Sequence, residues 1–174
     1  MFYNLDPNIK PKNLLDILKW KMTSKKSEWL PLSESITTDI PPITHDKNVR
    51  VRYVGHVTFL IQVQGLNILT DPVWSERASP FTFAGPKRIV KPGIDFADLP
   101  KIDFILISHN HYDHLDIKTI KDLWLRDKPK IITPLKNDII IKKHIKDAEI
   151  ITLGWGEYYK DQNIEYCLEP AQHW

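Results

Sequence analysis

At 174 residues the chain is long enough for one domain with a real core, and its 42% apolar and 26% charged residues are ordinary for a globular protein. A formal net charge of +2 gives no reason to expect a nucleic-acid partner, although Lys-rich patches leave peripheral membrane contact open. One cysteine rules out an internal disulfide, and no stretch reaches signal-peptide or membrane-span length, so a cytoplasmic location is the expectation.

In chain order, Leu14, Leu15, Ile17, Leu18 and Met22 recur at helical spacing, with Lys12, Lys19 and Lys21 among them. Pro31, Pro41 and Pro42 keep the segment after this helix irregular. Residues 1–48 therefore read as a helix and a Pro-rich loop that pack onto a domain spanning 49–174. From Val49 the period changes to two: Val49 to Tyr53 alternates as a strand does. Thr58 to Val63 and Leu66 to Thr70 are two more strands, joined at Gln64-Gly65 by a tight hairpin turn. Ser75 to Pro100 is a Pro- and Gly-rich loop of a length usually tied to function, and Phe81, Phe83 and Phe96 argue that it is ordered.

Ile102 to Ile107 fits a buried strand. Asp116 is placed to cap a helix from Ile117 to about Leu125. Next come a strand at Lys130 to Thr133, a helix from about Asn137 to Ile145 and a strand at Glu149 to Leu153. Two short strands flank a turn at Asp161-Gln162-Asn163, and a last one is expected to end at His173. Cys167 lies in an alternating run and is expected to be a small buried residue. Hairpins first, then alternation of strand and helix, predict an α+β or α/β fold: a mixed sheet with helices on one face.

Chemistry concentrates just after the fourth strand. Ser108-His109-Asn110-His111-Tyr112-Asp113-His114 holds three of the chain's seven histidines. In extended backbone His109 and His111 face the same way and can share one metal, while Asp113 and His114 can aim at a second point nearby. Imidazole and carboxylate are the donors that zinc and similar ions take in catalytic sites. Burying such a group without a metal would be costly. His173 is a further candidate ligand that gains weight only from context. His56 and Asp71 read either as residues that orient the ligands or as plain turn residues. His45 and His144 read as surface residues.

His109-x-His111-x-Asp113-His114 resembles the signature of the metallo-β-lactamase superfamily. Gly55 to Leu60, Leu69 to Pro80, Gly85 to Arg88, Leu106 to Asp116 and Pro170 to Trp174 are more specific. In that order they resemble the N-acylphosphatidylethanolamine-hydrolysing phospholipase D family, from about residue 29 to the end. The resemblance implies an αββα sandwich, here cut to roughly its first half. It implies two zinc ions, one held by His109, His111 and His173 and the other by Asp113 and His114, the last two being the catalytic pair. It implies hydrolysis of a phosphodiester in N-acylated phosphatidylethanolamine. The family's later bridging aspartate and last histidine have no counterpart, so the chain by itself is expected to be inactive or to need a complementing C-terminal half. A metal-binding remnant, or a hydrolase of lactones or other phosphodiesters, is the alternative.

Overall fold

The computed structural model describes residues 13–25, 48–161 and 163–171, together with Asp6, Asn8, Pro41 and Pro42. His45, Gln162 and His173 lie outside the described residues. The chain divides into two compact units, one of residues 1–35 with 169–174 and one of residues 36–168.

In the first unit, helix α1 (Leu14–Thr23) starts at Asn13, whose side chain accepts from the Asp16 amide while the Asp16 carboxylate accepts from the Asn13 amide. This reciprocal cap satisfies two amides that a helix N-terminus would otherwise leave unpaired. Leu15, Ile17, Leu18, Trp20 and Met22 are all exposed.

The second unit is built on a six-stranded sheet in the order β1-β2-β3-β4-β5-β6. Its strands are β1 (Arg50–Gly55), β2 (Thr58–Val63), β3 (Leu66–Thr70), β4 (Phe104–Leu106), β5 (Lys130–Pro134) and β6 (Ile150–Leu153). The first three are antiparallel neighbours, and β3 to β6 run parallel. The β2–β3 turn falls at Gln64 (φ +51°) and Gly65 (φ +81°), the double left-handed conformation that matches the twist of a two-residue hairpin. Parallel neighbours need crossovers, and helices α2 (Ile117–Asp127) and α3 (Asn137–Lys142) supply two of them. Asp116 caps α2 by accepting from the Thr119 amide. The helix stops at Lys128, which is left-handed and precedes Pro129. α3 is shorter than its apolar pattern suggests, and His144 falls in an exposed turn after it.

Alternation along the parallel strands feeds two cores. Leu69, Ile105 and Ile131 point to the helix side, where they pack with Leu60, Ile120, Leu123 and Ile141. Burying each such side chain is worth about 1.5–3 kcal/mol relative to leaving it exposed. Ile68, Phe104, Ile132 and Leu153 point to the other side and meet Tyr166. Tyr166 belongs to a separate hairpin, β7 (Tyr158–Asp161) with β8 (Ile164–Cys167). The helices thus lie on one face and a small hairpin covers part of the other, with Ile61, Val63, Leu66, Leu106 and Ile151 only partly buried around it.

Two expectations fail here. Cys167 is exposed, because the alternation of β8 turns Tyr166 inward and its neighbour outward. The strand expected to lead to His173 does not form over Glu169–Ala171, since β8 ends at Cys167 and Pro170 has no amide to offer a ladder. Among the described residues, no helix is long and apolar enough to cross a membrane.

Candidate metal centre

Parallel strands deliver their following loops to one edge of a sheet, the usual place for a ligand in such folds. Asp71 follows β3 and Ser108 follows β4, whose registers align Thr70 with Leu106. The Asp71 amide donates to the Leu106 carbonyl at 2.8 Å, so the two loops leave the sheet side by side. The β1–β2 turn arrives at the same edge, because Phe59 near the start of β2 pairs with Thr70.

Asp71 is buried with φ +35°, an unusual backbone for a non-glycine residue and one that tends to mark functional sites. Thr58, fully buried, holds that turn in place. Its hydroxyl donates to the Asp71 carbonyl at 2.7 Å and accepts from the Val73 amide at 3.2 Å. The Asp71 carboxylate then takes three donors. The Ser108 amide reaches Oδ1 at 2.7 Å, while the Ser108 hydroxyl at 2.7 Å and His114 Nδ1 at 2.9 Å reach Oδ2.

This arrangement fixes which nitrogens face outward. A buried carboxylate can only accept, so His114 carries a proton on Nδ1 and its Nε2 lone pair is left free. The Ser108 hydroxyl has one hydrogen, which goes to Asp71. Its oxygen therefore accepts from His109 Nδ1 at 3.0 Å, which places that ring's proton on Nδ1. Sequence reasoning misses Ser108. The only signal for it is a hydroxyl residue directly before the histidines, beside a strand ending in aspartate.

The motif's rings gather closely. His109 lies 3.9 Å from His114 and 4.8 Å from His111, centroid to centroid. The His111 carbonyl accepts from the amides of both His114 and Leu115, tightening the turn that brings Asp113 round. His56 comes in from the β1–β2 turn, with Nε2 2.9 Å from Asp113 Oδ2. His114 Nε2 lies 3.8 Å from the same oxygen. Partial burial pushes the Asp113 carboxyl up, but the hydrogen bond from His56, Asp113's own backbone amide and the nearby imidazoles outweigh it. The net pKa is below the usual carboxylate value.

The residues present suit a divalent cation: donor atoms of His56, Asp113 and His114 lie within 4.8 Å of one another, and their set is imidazole and carboxylate. The structure gathers the rings of His109, His111 and His114. Among the described residues, however, the donor atoms that converge are those of His56, Asp113 and His114, without His109 or His111. Asp71 stands behind His114.

The Beta-lactamase superfamily domain matches residues 66–174, more than half of the chain. The chain belongs to this superfamily. It is 33% identical to N-acyl-phosphatidylethanolamine-hydrolyzing phospholipase D 1 of Caenorhabditis elegans, over 92% of this chain and 50% of that one. An uncharacterised Mycobacterium tuberculosis protein is 32% identical over 99% of this chain and 48% of its own length. The chain thus spans about half the length of these relatives. Among solved structures, CmlA, a diiron β-hydroxylase from Streptomyces venezuelae, aligns with a TM-score of 0.50 and 25% identity. That match covers 69% of this chain and 23% of CmlA. The fold is that of the metallo-β-lactamase superfamily, and the partial cover of its relatives agrees with the half-sandwich expected from the motifs.

Proposed function

We propose that the chain carries the first half of the active site of a metal-dependent hydrolase whose substrate is a phosphodiester in an N-acylphosphatidylethanolamine-type phospholipid. The observation that carries this reading is the tether of His114 Nδ1 and Ser108 to buried Asp71, which leaves His114 Nε2 turned toward Asp113. An outer carboxylate of this kind fixes ring orientation and raises the basicity of the ligating nitrogen. The likeness to the phospholipase of Caenorhabditis elegans supports the substrate class.

His109 and His111 are assigned to one ion, and Asp113 and His114 to a second. Zinc is the metal we expect. Bound there, such ions supply charge stabilisation for the phosphoryl oxygens and a nucleophilic water at neutral pH. The chain's own residues contribute the rest: Asp71 holds the proton on His114 Nδ1, Ser108 aligns two histidines, and the lowered pKa of Asp113 keeps it ionised near neutrality. A C-terminal half, from the same polypeptide or a complementing one, is proposed to complete the site, with the lipid surface as its working partner.

The test is metal analysis of the purified chain with hydrolysis assays on N-acylphosphatidylethanolamine, a simple phosphodiester and a lactone, with and without a complementing half from a relative. Turnover of the phospholipid above the other two supports the reading. Turnover of the lactone alone overturns the substrate. Metal binding without turnover in any mixture supports an inactive metal-binding remnant instead.

A further inference from the structure

The family pattern leaves the second ion with only Asp113 and His114 from this half of the fold, yet a third donor already stands beside them. His56 sits in the turn between β1 and β2, where the pairing register shifts between Tyr53 and Gly55. That irregularity is followed by two residues of positive φ, Gly55 at +150° and His56 at +53°. Bulges of this kind re-aim side chains next to active sites. Here the ring is sent across the sheet edge to Asp113, 57 positions away in sequence.

We propose that His56 is a direct ligand of the ion held by Asp113 and His114, and not only an orienter of the Asp113 carboxylate. The inference rests on the metal-site reading above. Two donors, each about 2.1 Å from a tetrahedral ion, lie about 3.4 Å apart. His56 Nε2 to Asp113 Oδ2 is 2.9 Å and Asp113 Oδ2 to His114 Nε2 is 3.8 Å, which brackets that separation. All three donor atoms fall within 4.8 Å, so small side-chain shifts seat one ion among them. Asp71 occupies His114 Nδ1, so the nitrogen that His114 has left to offer is the one facing His56 and Asp113. The His56 and Asp113 side chains are 52% and 40% exposed and that of His114 18%, so the cluster opens to solvent on one side. Three protein donors and one open position are the pattern of a catalytic site, whereas closed four-ligand sites are structural.

Two substitutions separate ligand from orienter. His56→Gln keeps an N–H that can reach Asp113 but offers no imidazole. Its backbone demand is tolerable, since Gln64 adopts nearly the same φ in this chain. His56→Asn favours the left-handed turn but is too short to reach Asp113. Both are read in the full chain carrying His111→Ala, which weakens the first ion. Zinc affinity is measured by chelator competition, imidazole count by X-ray absorption at one equivalent of zinc, and fold by circular dichroism.

The expected result is that both variants lose at least about 100-fold in zinc affinity, the upper end of what loss of an outer-shell partner costs. The imidazole count should also fall by one in His56→Gln. If His56→Gln binds zinc as the His111→Ala parent does, or its imidazole count is unchanged, His56 orients and does not ligate, and the inference is overturned. Loss of zinc in both variants, in a protein that hydrolyses no phosphodiester, leaves the ligand assignment standing and sinks the phospholipase reading alone.

Discussion

Two buried carboxylates, Asp71 and Asp116, stand at comparable places in the fold and do different work. Each lies at the junction of a strand-following loop with its neighbour, and each is saturated with donors. Asp116 takes the amides of Trp74, Ser75 and Thr119 and the hydroxyls of Ser75 and Thr119. All five donors are backbone or hydroxyl groups, so the whole interaction is spent on tying the start of the 71–103 loop to the N-terminus of α2. Asp71 takes one amide, one hydroxyl and one imidazole. The imidazole alone has a second nitrogen, and Asp71 thereby fixes which nitrogen of His114 is turned toward Asp113. The same device ends at its donors in one place and, in the other, orients a ring that has a second nitrogen to offer.

The sharpest way to break this contrast is Asp116→Ala. Removing the acceptor leaves several buried donors unpaired, each costing about 1–3 kcal/mol, so a loss of at least about 3 kcal/mol is expected in urea unfolding. The folded fraction should still bind metal. Loss of metal without loss of stability would reverse the assignment. Next in size, Asp71→Asn should cost about 10–100-fold in affinity for the ion at His114, because the amide cannot enforce the Nδ1 proton. Its cost to stability should be smaller than that of Asp116→Ala. Asp113→Ala should empty the second ion before the first in zinc titrations, and equal loss of both would contradict the division of ligands.

A smaller effect concerns the opposite face. The Tyr166 hydroxyl is buried with no hydrogen-bond partner among the described residues, and burial, with Asp161 and Asp103 nearby, pushes its pKa up to about 12. A phenol whose folded pKa exceeds its unfolded value holds its proton longer when folded. Stability should therefore fall as pH rises from about 10 toward about 12. Tyr166→Phe should abolish that alkaline slope and gain about 1 kcal/mol at neutral pH, checked by chemical denaturation across the range. The smallest effect expected is at Asp161, whose carboxyl is held low by hydrogen bonds from Lys130 and Tyr159. That contribution is present above the ordinary carboxylate pKa and is lost as pH falls through the depressed one. Asp161→Asn should flatten the acid limb of the stability curve slightly.

Much of the fold is legible in the sequence because its signals are local. The spans of β2 and β3 follow from alternation and a Gln-Gly turn, and the start of α2 from Asp116 as its cap. The cluster of His109, His111, Asp113 and His114 is legible because its members fall within six consecutive positions. What stays hidden depends on partners far apart in sequence. Ser108 matters only because β3 and β4 lie side by side, and His56 meets Asp113 only through the β1–β2 turn. Cys167 and Tyr166 could have exchanged faces by pattern alone. The aromatic neighbours Phe104 and Tyr159 decide which of them turns inward.

The side-by-side exit of β3 and β4 has one more consequence. Asp71 meets Ser108 only when Ile68 sits opposite Phe104 and Thr70 opposite Leu106. Sliding either strand by a single residue would displace the carboxylate by about 3.3 Å and turn its neighbours to the wrong side of the sheet. A cation captured at this edge would therefore act as a proofreader of strand alignment, rewarding one way of assembling the sheet over its near misses.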